Sequence, residues 1–282
     1  MSIWKAIILG LVQGLAEFLP ISSSGHLAIL QHYLGIDASN ALVFTVLLHL
    51  GTLVAVSVAY RRDIAELIVE FVRMIGDIFT GKGPGLREND MRKLAVMILV
   101  ATIPAAVCGV LFDSFIARVF TSIILIGVCL IITGTALFVA ERIASGKRDL
   151  HRANFRNAFT IGLFQAIALL PGISRSGSTI VGGLVLGFKR DLAVRFAFLI
   201  SIPTVLGAVV LEIPDAIKAG ITGDMFVPAL IGIIVSAVSG FIAIKAMIRV
   251  VTSDKLMFFS IYTWAVGAIV IVTALFHVGG TV

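Results

Sequence analysis

The sequence predicts an all-α polytopic membrane protein built as an inverted-topology repeat, with six full transmembrane helices and two re-entrant helix–loop–helix hairpins. Three observations lead there. Of the 282 residues 59% are hydrophobic and only 13% charged, and the mean hydropathy is +1.09. That is more apolar surface than a soluble domain of this size can bury, so lipid must cover much of it. Six apolar runs reach the roughly 20 residues that a bilayer crossing needs. Two further apolar segments are broken in the middle by Pro, Gly and Ser, and these two match each other.

In chain order, the first broken segment covers 3–35 and is followed by full spans at 41–60, 91–112 and 119–141; the second covers 155–188 and is followed by spans at 192–212, 225–247 and 256–277. Each broken segment is too short for two crossings and too interrupted for one. A hairpin that leaves on the side it entered fits both, because non-helical backbone is tolerated at depth where protein or water surrounds it. After the first full span, RRDIAELIVEFVRMIG reads as an amphipathic surface helix and GKGPGLREND as a flexible loop.

GLVQGLAEFLPISSSG from residue 10 aligns without gaps on GLFQAIALLPGISRSG from residue 162, an offset of 152, with about half the positions identical. The same offset places FTVLLHLGTLVAV on FAFLISIPTVLGA. Residues 1–282 therefore form one integral membrane domain of two repeats, approximately 1–150 and 151–282. Each repeat makes an odd number of crossings, so the two have opposite orientation. If the hairpins return to their side of entry, one side collects most of the Lys and Arg, from Arg61 to Lys255. The other collects only Lys5, Arg118 and Lys218, and Arg175 alone is left inside a hairpin. This asymmetry makes the first side cytoplasmic and puts both termini outside. The first hairpin then opens to the exterior and the second to the cytoplasm.

The net charge of +6 is explained by this orienting role, and no nucleic-acid partner is indicated. Cys108 and Cys129 lie in separate apolar spans without metal-ligand spacing, and read as space-filling thiols. The N-terminus resembles a signal peptide, but its pattern recurs in mid-chain, where no signal peptide can be.

Polar groups at membrane depth need a partner or a purpose. In the second hairpin, PGISRSGST (171–179) places backbone N–H groups and Arg175 around one loop, an arrangement suited to phosphate or another anion. The alternative is a structural pair between Arg175 and Glu17. In the first hairpin, Gln13 and Glu17 share a helix face, and Glu17 can bind a divalent cation, accept a proton or neutralise Arg175. His26, just past Ser22, Ser23 and Ser24, can transfer a proton, act as nucleophile or hydrogen-bond structurally. The serines can cap the next half-helix. His49 and Gln165 read as packing or network residues.

The combination of QGLAEFLPISSSGH and PGISRSGST resembles the undecaprenyl-diphosphate phosphatase family, of the bacitracin-resistance type. Gln13 and Glu17 match its first motif, Ser23 and His26 the following loop, and Gly172, Ser174, Arg175, Ser176 and Thr179 the second motif. Some members carry Glu where this chain has Gln13. The resemblance implies hydrolysis of a C55 polyprenyl diphosphate in the bacterial inner membrane, recycling the lipid carrier of cell-wall synthesis. It implies catalytic roles for Glu17, Ser23, His26 and Arg175. Gly172, Ser174, Arg175, Ser176 and Thr179 would bind the phosphates, and Mg2+ or Ca2+ would sit on Glu17 and Gln13. The nucleophile stays open between Ser, His and water. The polyprenyl lipid and the bilayer are the expected partners, and a homodimer is one possible assembly. A lipid-phosphate or anion transporter is the alternative function, since inverted repeats are also transporter architecture.

Overall fold

A computed structural model describes residues 2–144, 146–219 and 225–278. The two ends of the chain, Met1 and 279–282, which the charge pattern puts outside, lie beyond the described residues. Among the described residues there are twelve helices and no strand: α1 (Ile3–Phe18), α2 (Ser23–Tyr33), α3 (Ala38–Ala59), α4 (Arg61–Phe79), α5 (Asp90–Leu111), α6 (Asp113–Phe120), α7 (Ile123–Ile143), α8 (Phe155–Ile167), α9 (Arg175–Val185), α10 (Arg190–Ala219), α11 (Phe226–Thr252) and α12 (Met257–Val278). Six of them, α3, α5, α7, α10, α11 and α12, are long and apolar enough to cross a bilayer. Large apolar side chains such as Ile132, Ile242 and Ile269 face outward from three of these spans. Such a surface is stable only in lipid, and the protein is a multi-pass membrane protein.

The widest departures from the sequence reading are at α10, which runs to Ala219 rather than 212, at α11, which runs to Thr252 rather than 247, and at the start of α7. The span expected at 119–141 begins at Ile123, because the chain breaks at Thr121 and Ser122 after the separate short helix α6. Ser122 is the cap, accepting the Leu125 N–H at 3.4 Å. The expected surface helix is present as α4. Its apolar residues Ile68, Val72 and Phe79 are exposed, while Glu70 is buried against Arg73 (2.6 Å), Asn89 (2.8 Å) and Arg92 (3.0 Å). Hydrogen bonds from Arg92 and Arg73 hold the Glu70 carboxyl below its ordinary value. Charge thus latches α4 to the start of α5 and leaves its apolar face for the interface.

The broken segments fold as pairs of short helices, α1 with α2 and α8 with α9, each joined by a few residues. The repeat offset of 152 carries the first residue of α2, Ser23, onto the first of α9, Arg175, and the first of α3, Ala38, onto the first of α10, Arg190. Packing follows the same exchange: α1 lies along α11, while its counterpart α8 lies along α5. Both contacts are backbone-close. A Cβ on Gly10 would meet the Gly232 carbonyl at 2.6 Å, and one on Gly162, the matching position, would meet the Ala101 carbonyl at 2.5 Å. Without a hydrophobic driving force between helices in lipid, such small-residue contacts carry the association through van der Waals packing. The largest buried cluster draws on α1, α3, α5 and α7 to α11. It is organised by aromatic residues such as Phe188, Phe196 and Phe198, the last meeting Phe18 edge to face at 5.5 Å. That contact fixes the end of α1, where Glu17 stands.

Candidate active site

The site is built where the loop between α1 and α2 touches the loop between α8 and α9. Ser22, the residue before α2, accepts the Gly25 N–H at 3.3 Å and, across the two loops, the Gly172 N–H at 3.1 Å. Its φ is +71°, unusual for a residue with a side chain. Ser176 Oγ returns a bond to the Leu19 carbonyl at 3.1 Å. Gly25 allows the approach, since a Cβ there would lie 3.0 Å from Gly172 Cα. Gly172 has φ +95°, and a Cβ on it would come within 2.5 Å of the Ile126 carbonyl. Only glycine meets both demands.

α7 supplies the anchor for the second loop. Thr133 Oγ1 donates to the Gly172 carbonyl at 2.9 Å and accepts the Ser174 N–H at 3.1 Å. Ser174 in turn caps α9, accepting the Gly177 N–H at 3.0 Å, as Ser22, its repeat partner, caps α2. Thr179 Oγ1 bonds back to the Arg175 carbonyl at 2.9 Å. The hydroxyls of Ser174, Ser176 and Thr179 are buried and hold the loop in shape.

Against this frame, Glu17 at the end of α1 is buried, and four side chains converge on its carboxylate. Ser23 Oγ donates to Oε2 at 2.6 Å and Gln13 Nε2 to the same oxygen at 3.0 Å. Arg175 approaches Oε1 at 3.5 Å, and His49 Nε2 stands 3.8 Å from Oε2. Ser23 and Arg175 are repeat equivalents, each the first residue of its half-helix. One carboxylate is therefore met by the first side chain of each of two helices. Arg175 keeps a fifth of its side chain exposed, so a cation remains available to an incoming anion.

His26 is held apart from this carboxylate. Its Nδ1 lies 2.8 Å from the Ser22 carbonyl and its Nε2 2.9 Å from the Tyr262 hydroxyl on α12. His49, Ser22, Thr133 and Tyr262 all stand at the site, and nothing in their local sequence singles out the last two. Thr133 and Tyr262 lie inside apolar spans among other polar residues such as Thr135 and Thr263, and their partners are distant in the chain. Among the described residues no group of three or more His, Cys, Asp or Glu gathers to hold a metal ion, and only Glu17 and Gln13 offer oxygens to one here. The Gln13 Oε1 is buried without a hydrogen-bond partner beside the Glu17 carboxylate, and oxygen-only ligands suit Mg2+ or Ca2+.

The family model for bacitracin resistance protein BacA matches residues 6–269. The chain belongs to the BacA family. It is 49% identical over 276 residues to the undecaprenyl-diphosphatase of Alkaliphilus metalliredigens, covering 98% of this chain and 100% of that one. It is 40% identical to the undecaprenyl-diphosphatase of Methanobrevibacter smithii, over 98% and 99% of the two chains. To that of Halothermothrix orenii it is 38% identical, over 97% and 99%.

If Ser22 joins the loops, removing its hydroxyl leaves two buried N–H groups without an acceptor. Ser22→Ala is expected to lower unfolding stability in detergent by roughly 1–3 kcal/mol, measured by thermal or denaturant unfolding. Wild-type stability in this variant would show that the contact does not hold the loops.

Proposed function

We propose that the protein hydrolyses undecaprenyl diphosphate to undecaprenyl phosphate and inorganic phosphate, recycling the lipid carrier of cell-wall synthesis and giving bacitracin resistance. The observation that carries the reading is the convergence of Ser23 and Arg175 on the Glu17 carboxylate, in a BacA-family chain whose relatives are named undecaprenyl-diphosphatase. A lipid diphosphate brings an apolar tail from the bilayer and a charged head that needs fixed cations. Arg175 and the N-terminal end of α9 supply them, on a loop shaped by Gly172, Ser174, Ser176 and Thr179.

Ser23 is the nucleophile this geometry favours. Glu17 takes the Ser23 Oγ proton as Oγ attacks the terminal phosphorus. The Oγ–P bond forms, the bridging P–O bond breaks, and undecaprenyl phosphate leaves. Water then attacks the phosphoserine. The Oγ–P bond breaks, inorganic phosphate leaves, and Ser23 recovers its proton. His26, three residues on and on the same helix face as Ser23, takes the proton of the attacking water. Arg175 neutralises charge on the phosphates as it moves to the leaving group, where fixed donors are worth most. Mg2+ or Ca2+ held by Glu17 and Gln13 Oε1 would add Lewis-acid neutralisation of the diphosphate. A translocation site alone gives no reason for a serine hydroxyl held on a buried carboxylate.

The same reading takes α1–α2 and α8–α9 as re-entrant hairpins of an inverted repeat whose tips meet near the bilayer midplane. The exchanged packing of α1 on α11 and α8 on α5, and the loop-to-loop bonds of Ser22 and Ser176, support it. The first hairpin opens outward, so the diphosphate arrives from the outer face.

Two measurements test this. Purified wild-type protein in detergent should release phosphate from C55 diphosphate, while Arg175→Ala retains less than about 1% of that rate. A chelator should lower the rate if the cation takes part. Near-normal turnover in folded Arg175→Ala overturns the site. For sidedness, Ser24→Cys in a chain lacking Cys108 and Cys129 should react with an impermeant thiol reagent from the outer face. Labelling from the cytoplasm alone contradicts it.

A further inference from the structure

Tyr262 carries no part of either motif, yet it is the one side chain of α12 bonded to His26 among the described residues. Its ring lies parallel to the imidazole, with centroids 5.6 Å apart and planes 9° from each other, and its hydroxyl is 2.9 Å from Nε2. On the other side of the ring Nδ1 faces the Ser22 carbonyl at 2.8 Å. A carbonyl can only accept, so Nδ1 carries the hydrogen. In the neutral ring Nε2 then carries the lone pair, and the phenol donates to it. A second tyrosine, Tyr33, joins α2 to α12 through Thr273 at 3.2 Å, so α12 braces α2 at both its first and last turns.

We infer that Tyr262 is a positioning residue for the phosphatase reaction, fixing the plane and the basic nitrogen of His26 by stacking and by its hydroxyl. This rests on the reading of His26 as a proton carrier. The carbonyl fixes one nitrogen, and without a partner at the other the ring can swing about that bond. The phenol fills the only lone pair of the neutral ring. The water's proton therefore reaches Nε2 through it, Tyr262 Oη taking that proton as its own hydrogen passes to the imidazole, and a ring that moves breaks this alignment. Tyr262 is also 43% exposed, on the outside of a helix long and apolar enough to cross a bilayer, where a polyprenyl chain could lie against it. The hydroxyl therefore marks the boundary between the reacting head group and the surrounding tails.

The test uses full-length protein in detergent, labelled with 15N-histidine, and two variants. Tyr262→Phe keeps the ring and removes the hydroxyl. It should move the Nε2 resonance of His26 while the other histidines stay in place, and lower kcat roughly three- to tenfold with KM unchanged. In a His26→Ala background the same substitution should change kcat by less than about 1.5-fold, since nothing is left to position. Tyr262→Leu, which also loses the stacking, should cost more than Tyr262→Phe in the His26 chain. An unmoved His26 resonance in Tyr262→Phe overturns the proposal, as does a loss of equal size with and without His26. If the wild type releases no phosphate, the reaction reading fails on that result alone. The nitrogen resonance still decides whether Tyr262 holds His26.

Discussion

A carboxylate buried among apolar helices must be neutralised by fixed partners, because no water is at hand to do it. Glu17 imposes that demand here, and the surrounding structure answers it. Gln13 and Ser23 donate to one oxygen, Arg175 approaches the other, and His49 stands beside them. Gln13 and Ser23 come from the first helix pair, His49 from α3 and Arg175 from the second pair. The two halves must therefore be held together closely for the carboxylate to be tolerated. The bonds of Ser22 to Gly172 and of Ser176 to Leu19 do this with hydroxyls and backbone alone.

The same arrangement suits chemistry on a phosphoanhydride. A partner set that is too good would lock Glu17 and Arg175 into an inert pair, but the 3.5 Å separation is at the long end for a hydrogen bond and the guanidinium is partly exposed. An anion entering the site can take over Arg175, and the Glu17–Ser23 bond at 2.6 Å is left in place. The loop hydroxyls of Ser174 and Thr179 are bonded within their own turn, so the loop that carries Arg175 is held by its own bonds. Preorganised donors of this kind need little rearrangement during reaction.

Much of this was legible in the sequence. Hydropathy located the six spans, because a 20-residue apolar run has few other uses. The repeat offset matched the starts of α2 and α9, because capping serines and close-packing glycines are needed at the same places in both halves. Gln13 and Glu17 four residues apart did come to share a hydrogen bond. What stayed hidden depended on contacts between distant residues. Nothing local distinguishes Ser22 from Ser23, yet one joins the loops and the other faces Glu17. Nothing local distinguishes Thr133 or Tyr262 from any polar residue in a span. The α7 boundary was misplaced because α6 is itself rich in apolar residues, and hydropathy alone does not see the Ser122 cap.

The central claim is that the two loops form a single site through Glu17 and Arg175. Its most direct test is a double-mutant cycle on phosphate release from C55 diphosphate, with Glu17→Gln, Arg175→Gln and the pair together, each shown to be folded. The account predicts strong non-additivity, with the double variant no slower than about twofold below the slower single one. Losses that simply multiply would mean that the two residues act independently, and would contradict a shared site.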